Sequence, residues 1–83
     1  MSDIVLKNKL REIISEVSEV DDVPDEAPFE DLGIDSMMAI EIVAEVERTY
    51  KLSIPEDELQ EMTNLTRVFE LVRNKLDAAN AAE

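Results

Sequence analysis

Residues 31–37 read DLGIDSM, a turn that leads directly into the first turn of an amphipathic helix. Gly33 permits a tight turn because it has no Cβ, and Asp35 is a residue type favoured at helix N-caps. Taken alone, Asp35 and Ser36 are an ordinary capping pair. The same position also suits a phosphodiester on Ser36, because a helix start offers unpaired N–H groups and the positive end of the helix dipole.

The helix after this turn is predicted to run from about Ser36 to Tyr50 or Lys51, since neither Gly nor Pro interrupts it. Its apolar residues are too widely spread for one face. One stripe with helical spacing is expected to face the core and comprises Ala39, Ile42, Val43, Val46 and Tyr50. A second stripe lies roughly opposite and is left for solvent or a partner: Met37, Ile40 and Ala44.

The rest of the chain predicts three further helices. Apolar residues recur at helical spacing near both ends of the sequence, and Pro55 suits the first position of a short helix, PEDELQEM. Ser2 or Asp3 is expected to cap the first helix, and Thr63 or Asn64 the last.

The first and second helices are separated by residues 19–34, which contain two Pro, one Gly and many acids. These residues prevent a continuous helix, and a short turn is expected around Phe29 to Leu32. We expect this long loop to be pinned on the core by five apolar residues: Val20, Val23, Phe29, Leu32 and Ile34.

The sequence therefore predicts an all-α fold, a four-helix bundle of three longer helices and one short third helix, with a long loop after helix one. A single domain is expected over residues 1–83, with residues 1–2 and 78–83 frayed. The predicted core consists of Leu6, Leu10, Ile13, Val17, Ile42, Val43, Val46, Tyr50, Ile54, Leu59, Val68, Phe69 and Val72.

The composition excludes most catalytic chemistry. The 83 residues include no Cys and no His, which excludes disulfides, thiolate nucleophiles, imidazole bases and the usual zinc ligands. A calcium loop fails as well, because placing Gly33 at the invariant glycine would put Pro28 and Leu32 at ligand positions and Ala39 at the closing one. We predict no metal site, and an enzyme acting through carboxylates is the least expected class.

Charge is distributed unevenly along the chain. The formal net charge is -13, and residues 12–47 contain no Lys or Arg, so their acids account for all of it. Such a surface repels nucleic acid and anionic membranes and attracts proteins with basic docking patches. No apolar run is long enough for a signal peptide or a membrane span. The expectation is a soluble cytoplasmic monomer.

Several of these features together resemble the acyl carrier protein family. DLGIDSM looks like its attachment motif, in which an aspartate precedes a modified serine. Glu41-Ile42 stands where the family tends to have Glu-Leu, and Ile54-Pro55 followed by acids looks like its connection into a short third helix. The resemblance extends over nearly the whole chain and agrees with its length and acidity.

The resemblance implies that a phosphopantetheinyl transferase moves a 4'-phosphopantetheine arm from coenzyme A onto Ser36, with Asp35 beside the magnesium of the transferase. The thiol of the arm then carries acyl intermediates to fatty-acid, polyketide or related synthesis enzymes. The carrier itself performs no catalysis, so the absence of Cys and His is expected.

Partners of the acyl-transferring and chain-elongating classes are predicted to read the exposed face of helix two. Its apolar centre is Met37, Ile40 and Ala44, and the surrounding acids include Asp35, Glu41, Glu45 and Glu47. Met37 replaces the leucine usual after the serine. Met38 and Arg48 stand where fatty-acid members more often carry an acidic or polar residue and another acid, respectively.

Two interpretations of Arg48 stay open. It either repels the basic patches of general fatty-acid enzymes or pairs with Glu45 or Glu41. Met38 either belongs to an adaptable binding surface or fills hydrophobic space. For the whole chain, the alternatives are an aminoacyl or peptidyl carrier, a D-alanyl carrier and, from a different class, an unmodified acidic interaction module.

Overall fold

The computed structural model describes residues 3–81, and side chains as far as Ala78. The described residues form helices and no strand, so the predicted all-α class is confirmed. In chain order the elements are α1 (Asp3–Ser18), a 3-10 turn (Phe29–Leu32), α2 (Ser36–Tyr50), α3 (Glu56–Leu59) and α4 (Leu65–Ala81). No helix within residues 3–81 has both the length and the apolar content that crossing a bilayer requires.

The core lies where α1 packs against both α2 and α4. Its most deeply buried side chains come from all three long helices: Leu10, Ile14, Ile42, Val46, Leu65, Val68 and Val72. Four residues of the predicted core are only half-buried and pack around its edge: Val17, Tyr50, Leu59 and Phe69. Met62 is buried although the prediction omitted it.

The loop between α1 and α2 is pinned as predicted. Val23, Phe29 and Ile34 are buried in the core, and Val20 and Leu32 pack against it. Burial of these side chains holds the chain that delivers residues 31–37 to the start of α2.

Asp25 adds a polar connection that the sequence analysis did not anticipate. Lys7 donates to its carboxylate at 3.0 Å, and Arg11 pairs with the other carboxylate oxygen. The backbone N–H and the hydroxyl of Thr66 reach its carbonyl oxygen, each at 3.1 Å. The hydrogen bond from Lys7, helped by Arg11, holds the pKa of Asp25 below its ordinary value. One residue thus joins the loop to α1 and to the start of α4.

The third helix is shorter than predicted. It covers Glu56–Leu59 rather than residues 55–62, and Pro55 is its extended N-cap, with ψ of 159°, rather than its first helical residue. After Leu59 the backbone tightens, and the N–H of Met62 donates to the carbonyl of Leu59 at 3.1 Å. This turn brings the Met62 side chain into the core, which explains why the helix stops early.

The predicted cap of the last helix is confirmed. Asn64 caps α4, because its side-chain oxygen accepts from the N–H of Arg67 at 2.8 Å. At the start of α1, Ser2 lies outside the described residues and Asp3 is the first helical residue. Helix α4 continues to Ala81, within the stretch predicted to fray. Fraying there stays a prediction, and residues 1, 2, 82 and 83 lie outside the described residues.

Candidate functional site

The backbone turns sharply just before Ser36. The 3-10 turn ends at Gly33, which adopts the left-handed conformation with φ of 78°. The N–H of Gly33 donates to the Glu30 carbonyl at 3.2 Å, and that of Ile34 donates to the Phe29 carbonyl at 3.0 Å. A Cβ at position 33 would meet no atom within 4 Å. Glycine is therefore favoured here by backbone conformation and not by lack of space.

Asp35 caps α2, as predicted. It is extended, and its Oδ1 accepts from the N–H of Met38 at 2.9 Å. Ser36 is the first helical residue and is exposed, and its hydroxyl makes no hydrogen bond to any described residue. The first-turn N–H groups and the helix dipole favour a negative charge at this position. The geometry therefore suits an exposed hydroxyl that receives a phosphodiester.

Two open grooves meet at Ser36, and Ala39 lines both. One, of about 260 Å³, runs between α2 and α3 beside Ile40 and Leu59. The other, of about 200 Å³, runs toward the 3-10 turn and is lined by Phe29, Ile34, Met62 and Thr63 among others. A flexible arm on Ser36 would have partly apolar surface on either side of its attachment point.

The exposed face of α2 presents two of the three residues predicted as its apolar centre. The side chains of Met37 and Ile40 are 73% and 55% exposed, whereas Ala44 is half-buried. Glu41 is exposed beside them. Met38 is half-buried and packs against the core, so the hydrophobic-filling interpretation of this residue holds in the structure.

Glu47 and Arg48, near the C-terminal end of α2, were predicted to belong to the partner-binding face. Each has a partner within the chain. Arg48 pairs with Glu45 one turn earlier, as one of its two interpretations expected. Glu47 is half-buried, and its Oε2 accepts from the backbone N–H of Ile54 at 2.9 Å. Sequence reasoning placed Glu47 among the docking acids and missed this contact, which depends on how the chain folds back after Tyr50.

The Asp25 connection was also missed, although a signal for it exists. Lys7 and Arg11 stand one helical turn apart in α1, so their side chains lie on the same edge of the helix. Two cations placed in this way can both reach one acidic residue outside the helix. Sequence alone could not select Asp25 from the many acids of the loop.

Metal-binding residues are not brought together in the part of the chain that the structure describes. No group of three or more acids is placed to hold a metal ion among these residues. The acids of the loop and of α2 are spread over the surface or engaged by the backbone and by bases.

Comparison with known proteins agrees with this geometry. The family described as "Phosphopantetheine attachment site" matches residues 8–72, which is most of the chain. A crystal structure of an acyl carrier protein from Thermotoga maritima superposes with a TM-score of 0.81 at 28% identity, covering 95% of each chain. Fold and site together define a carrier domain built to bear a covalent phosphopantetheine arm.

Several named proteins are similar to this chain in sequence. Polyketide-8 synthase acyl carrier protein 2 of Streptomyces avermitilis is 41% identical over 73 residues, 84% of each chain. Anthracycline acyl carrier protein DauA of Streptomyces sp. (strain C5) is 41% identical over 76 residues, 86% of this chain and 90% of the relative. The match to the non-reducing polyketide synthase dbaI of Emericella nidulans covers 94% of this chain but 3% of that long protein.

This chain belongs to the acyl carrier protein family. It carries acyl groups as thioesters on a phosphopantetheine arm, so the resemblance found in its sequence is confirmed.

Proposed function

We propose that Ser36 is the residue that bears the arm and that the chain serves a polyketide synthase. The exposed Ser36 hydroxyl at the capped start of α2 carries the first part of this proposal. In the loading step the Ser36 oxygen bonds to the phosphorus that bears pantetheine in coenzyme A, and the adenosine bisphosphate leaves. The transferase supplies magnesium and removes the hydroxyl proton. The carrier supplies the nucleophile and its position.

Asp35 has two tasks in this scheme. Its Oδ1 holds the first turn of α2 through Met38 N–H, which fixes the direction in which Ser36 points. Its second oxygen has no partner among the described residues and is free to face the metal of the transferase. A carboxylate at this point is therefore both a structural cap and a contact for the loading enzyme.

Partner enzymes dock on the exposed face of α2, next to the arm. Met37 and Ile40 form an apolar centre that the core does not use, and Asp35 and Glu41 lie exposed beside it. Basic patches on partners are steered toward these acids, and the effect weakens with salt. Because docking occurs beside Ser36, it would bring the thioester to the active site of the partner.

The polyketide assignment is supported by the relatives. Two relatives described above, matched over 84% and 90% of their lengths, are named as a polyketide synthase acyl carrier protein and an anthracycline acyl carrier protein. Arg48 agrees with a specialised partner, because its guanidinium is largely exposed even while paired with Glu45. The chain itself performs no catalysis in this proposal, which accords with its lack of Cys and His.

The attachment site is tested by loading the apo-protein with coenzyme A and a broad-specificity phosphopantetheinyl transferase. Intact mass should rise by one arm, and Ser36→Ala should gain nothing. Ser53→Ala is the matched control, since Ser53 is also exposed but stands in the loop before α3. An arm on Ser36→Ala, or its loss in Ser53→Ala, contradicts the assignment. The mass of protein from its native host would identify the acyl group.

A further inference from the structure

Methionine is the only sulfur-containing residue in this chain. The sequence has four Met and no Cys, so in the apo-protein a hydroperoxide finds no thiol to oxidise first. Oxidation of a methionine transfers one oxygen to the thioether, which becomes a polar sulfoxide. The effect of oxidation depends on two properties of each methionine: the exposure of its thioether to solvent and the surface around it.

The structure separates three of the methionines sharply. Met37 is 73% exposed and Met62 is 5% exposed. Met38 is half-buried and packs against the core, although it is adjacent to Met37 in the chain. Exposure governs how readily a thioether is oxidised, so Met37 is the most reactive of the three.

The location of Met37 gives its oxidation a consequence. It follows Ser36 directly and, with Ile40, forms the apolar centre of the exposed face of α2. A partner that covers this centre removes it from water, and a sulfoxide oxygen placed there loses its hydrogen bonds to water unless the partner replaces them. Oxidation of an exposed side chain leaves the core untouched, so binding changes while the fold does not.

We propose that Met37 is a redox modification site of the docking face, at which a hydroperoxide converts the thioether to the sulfoxide and weakens partner docking. The S–O bond forms as the O–O bond breaks, sulfur is oxidised by two electrons, and the hydroperoxide is reduced to water or an alcohol. A methionine sulfoxide reductase reverses the change. This inference rests on the proposed use of the α2 face by partners.

The first test follows the site of oxidation. Apo-protein is treated with hydrogen peroxide, and peptide mass mapping measures sulfoxide at each methionine with time. Sulfoxide should accumulate at Met37 well before Met38 and Met62. Equal rates at Met37 and Met62 would overturn the inference, because burial would then fail to select the site.

The second test measures docking through the loading reaction, whose transferase must approach Ser36. Oxidised wild-type protein should show kcat/KM for arm transfer that is lower by roughly fivefold or more. Reductase treatment should restore it, and circular dichroism should be unchanged. Met37→Leu keeps an apolar side chain that cannot be oxidised, so peroxide should leave its kcat/KM constant.

Two results would overturn the inference: an unchanged kcat/KM for oxidised wild type, or an equal loss in Met37→Leu. Failure of unoxidised wild type to accept the arm is a separate outcome, since it contradicts the proposed function of Ser36. Normal loading that does not respond to oxidation overturns the redox site alone.

Discussion

Replacing Glu47 by Ala should destabilise the fold, although sequence reasoning gave this residue a role in docking. Its carboxylate accepts from the N–H of Ile54 at 2.9 Å, and the Ile54 side chain is 8% exposed. Removing the acceptor leaves that N–H unpaired in a partly buried position, which costs about 1–3 kcal/mol. A domain of this size has roughly 4–12 kcal/mol of stability, so the loss is a substantial fraction.

The assays are equilibrium urea unfolding and thermal unfolding, both followed by circular dichroism. Each 1 kcal/mol lost should lower Tm by about 4–8 °C in a domain of this size. Glu47→Gln keeps a carbonyl acceptor and should lose less than Glu47→Ala. Hydrogen exchange gives a local reading, since the Ile54 amide should exchange faster in Glu47→Ala.

Glu41→Ala is the matched control, because Glu41 lies in the same helix and is exposed, with no partner for its carboxylate among the described residues. Its stability should stay within about 0.5 kcal/mol of wild type. Loading by the transferase should instead be slower than that of wild type at low salt, and this difference should shrink as salt screens the charges. If Glu47→Ala is as stable as Glu41→Ala and shows the same salt-dependent loading defect, Glu47 is a docking acid. The stabilising role of its hydrogen bond with the Ile54 N–H is then refuted.

Three further predictions concern the fold that positions Ser36. The pKa of Asp25 is lowered in the folded protein, so its contribution to stability is complete above the ordinary value of 3.8 and is lost as pH falls through the lower folded value. The urea midpoints of wild type and Asp25→Asn should therefore converge as the pH falls below 3.8. A gap that stays constant would contradict this. Gly33→Ala should cost about 1–2 kcal/mol because of its positive φ, whereas Gly33→Asn should cost less since Asn tolerates that conformation; equal losses would point to another cause. Val46→Ala, at a fully buried site, should cost about 2–3 kcal/mol in urea unfolding, while Ile40→Ala on the exposed face should change stability little, and similar values for the two would refute the assignment of the faces.

The sequence sufficed for the elements that depend on local pattern. Helix α2 was predicted with its boundaries and its Asp35 cap, because a cap followed by an uninterrupted apolar period is a local signal. A short turn was predicted around Phe29–Leu32, and the structure has a 3-10 turn over these residues. The exposure of Ser36 follows from the same local features.

The contacts between distant segments could not be predicted in the same way. Glu47 meets the Ile54 amide because the chain reverses after α2, and the reversal uses a left-handed backbone at Lys51, with φ of 56°. A lysine does not predict this conformation, which is usually adopted by glycine or asparagine. The early end of α3 has a similar origin, because burial of Met62 outweighs the helical preference of the residues before it.

Helix α2 uses one face to build the core and leaves the other face exposed. Ile42, Val43 and Val46 are inside the core, whereas Met37 and Ile40 project outward without contributing to it. In evolution, substitutions on the outward side can accumulate without first weakening the fold, so a lineage can change which enzymes it serves while the scaffold stays intact. Duplicated copies of such a gene could diverge in partner choice by a few exchanges, and no compensating changes in the interior would be required.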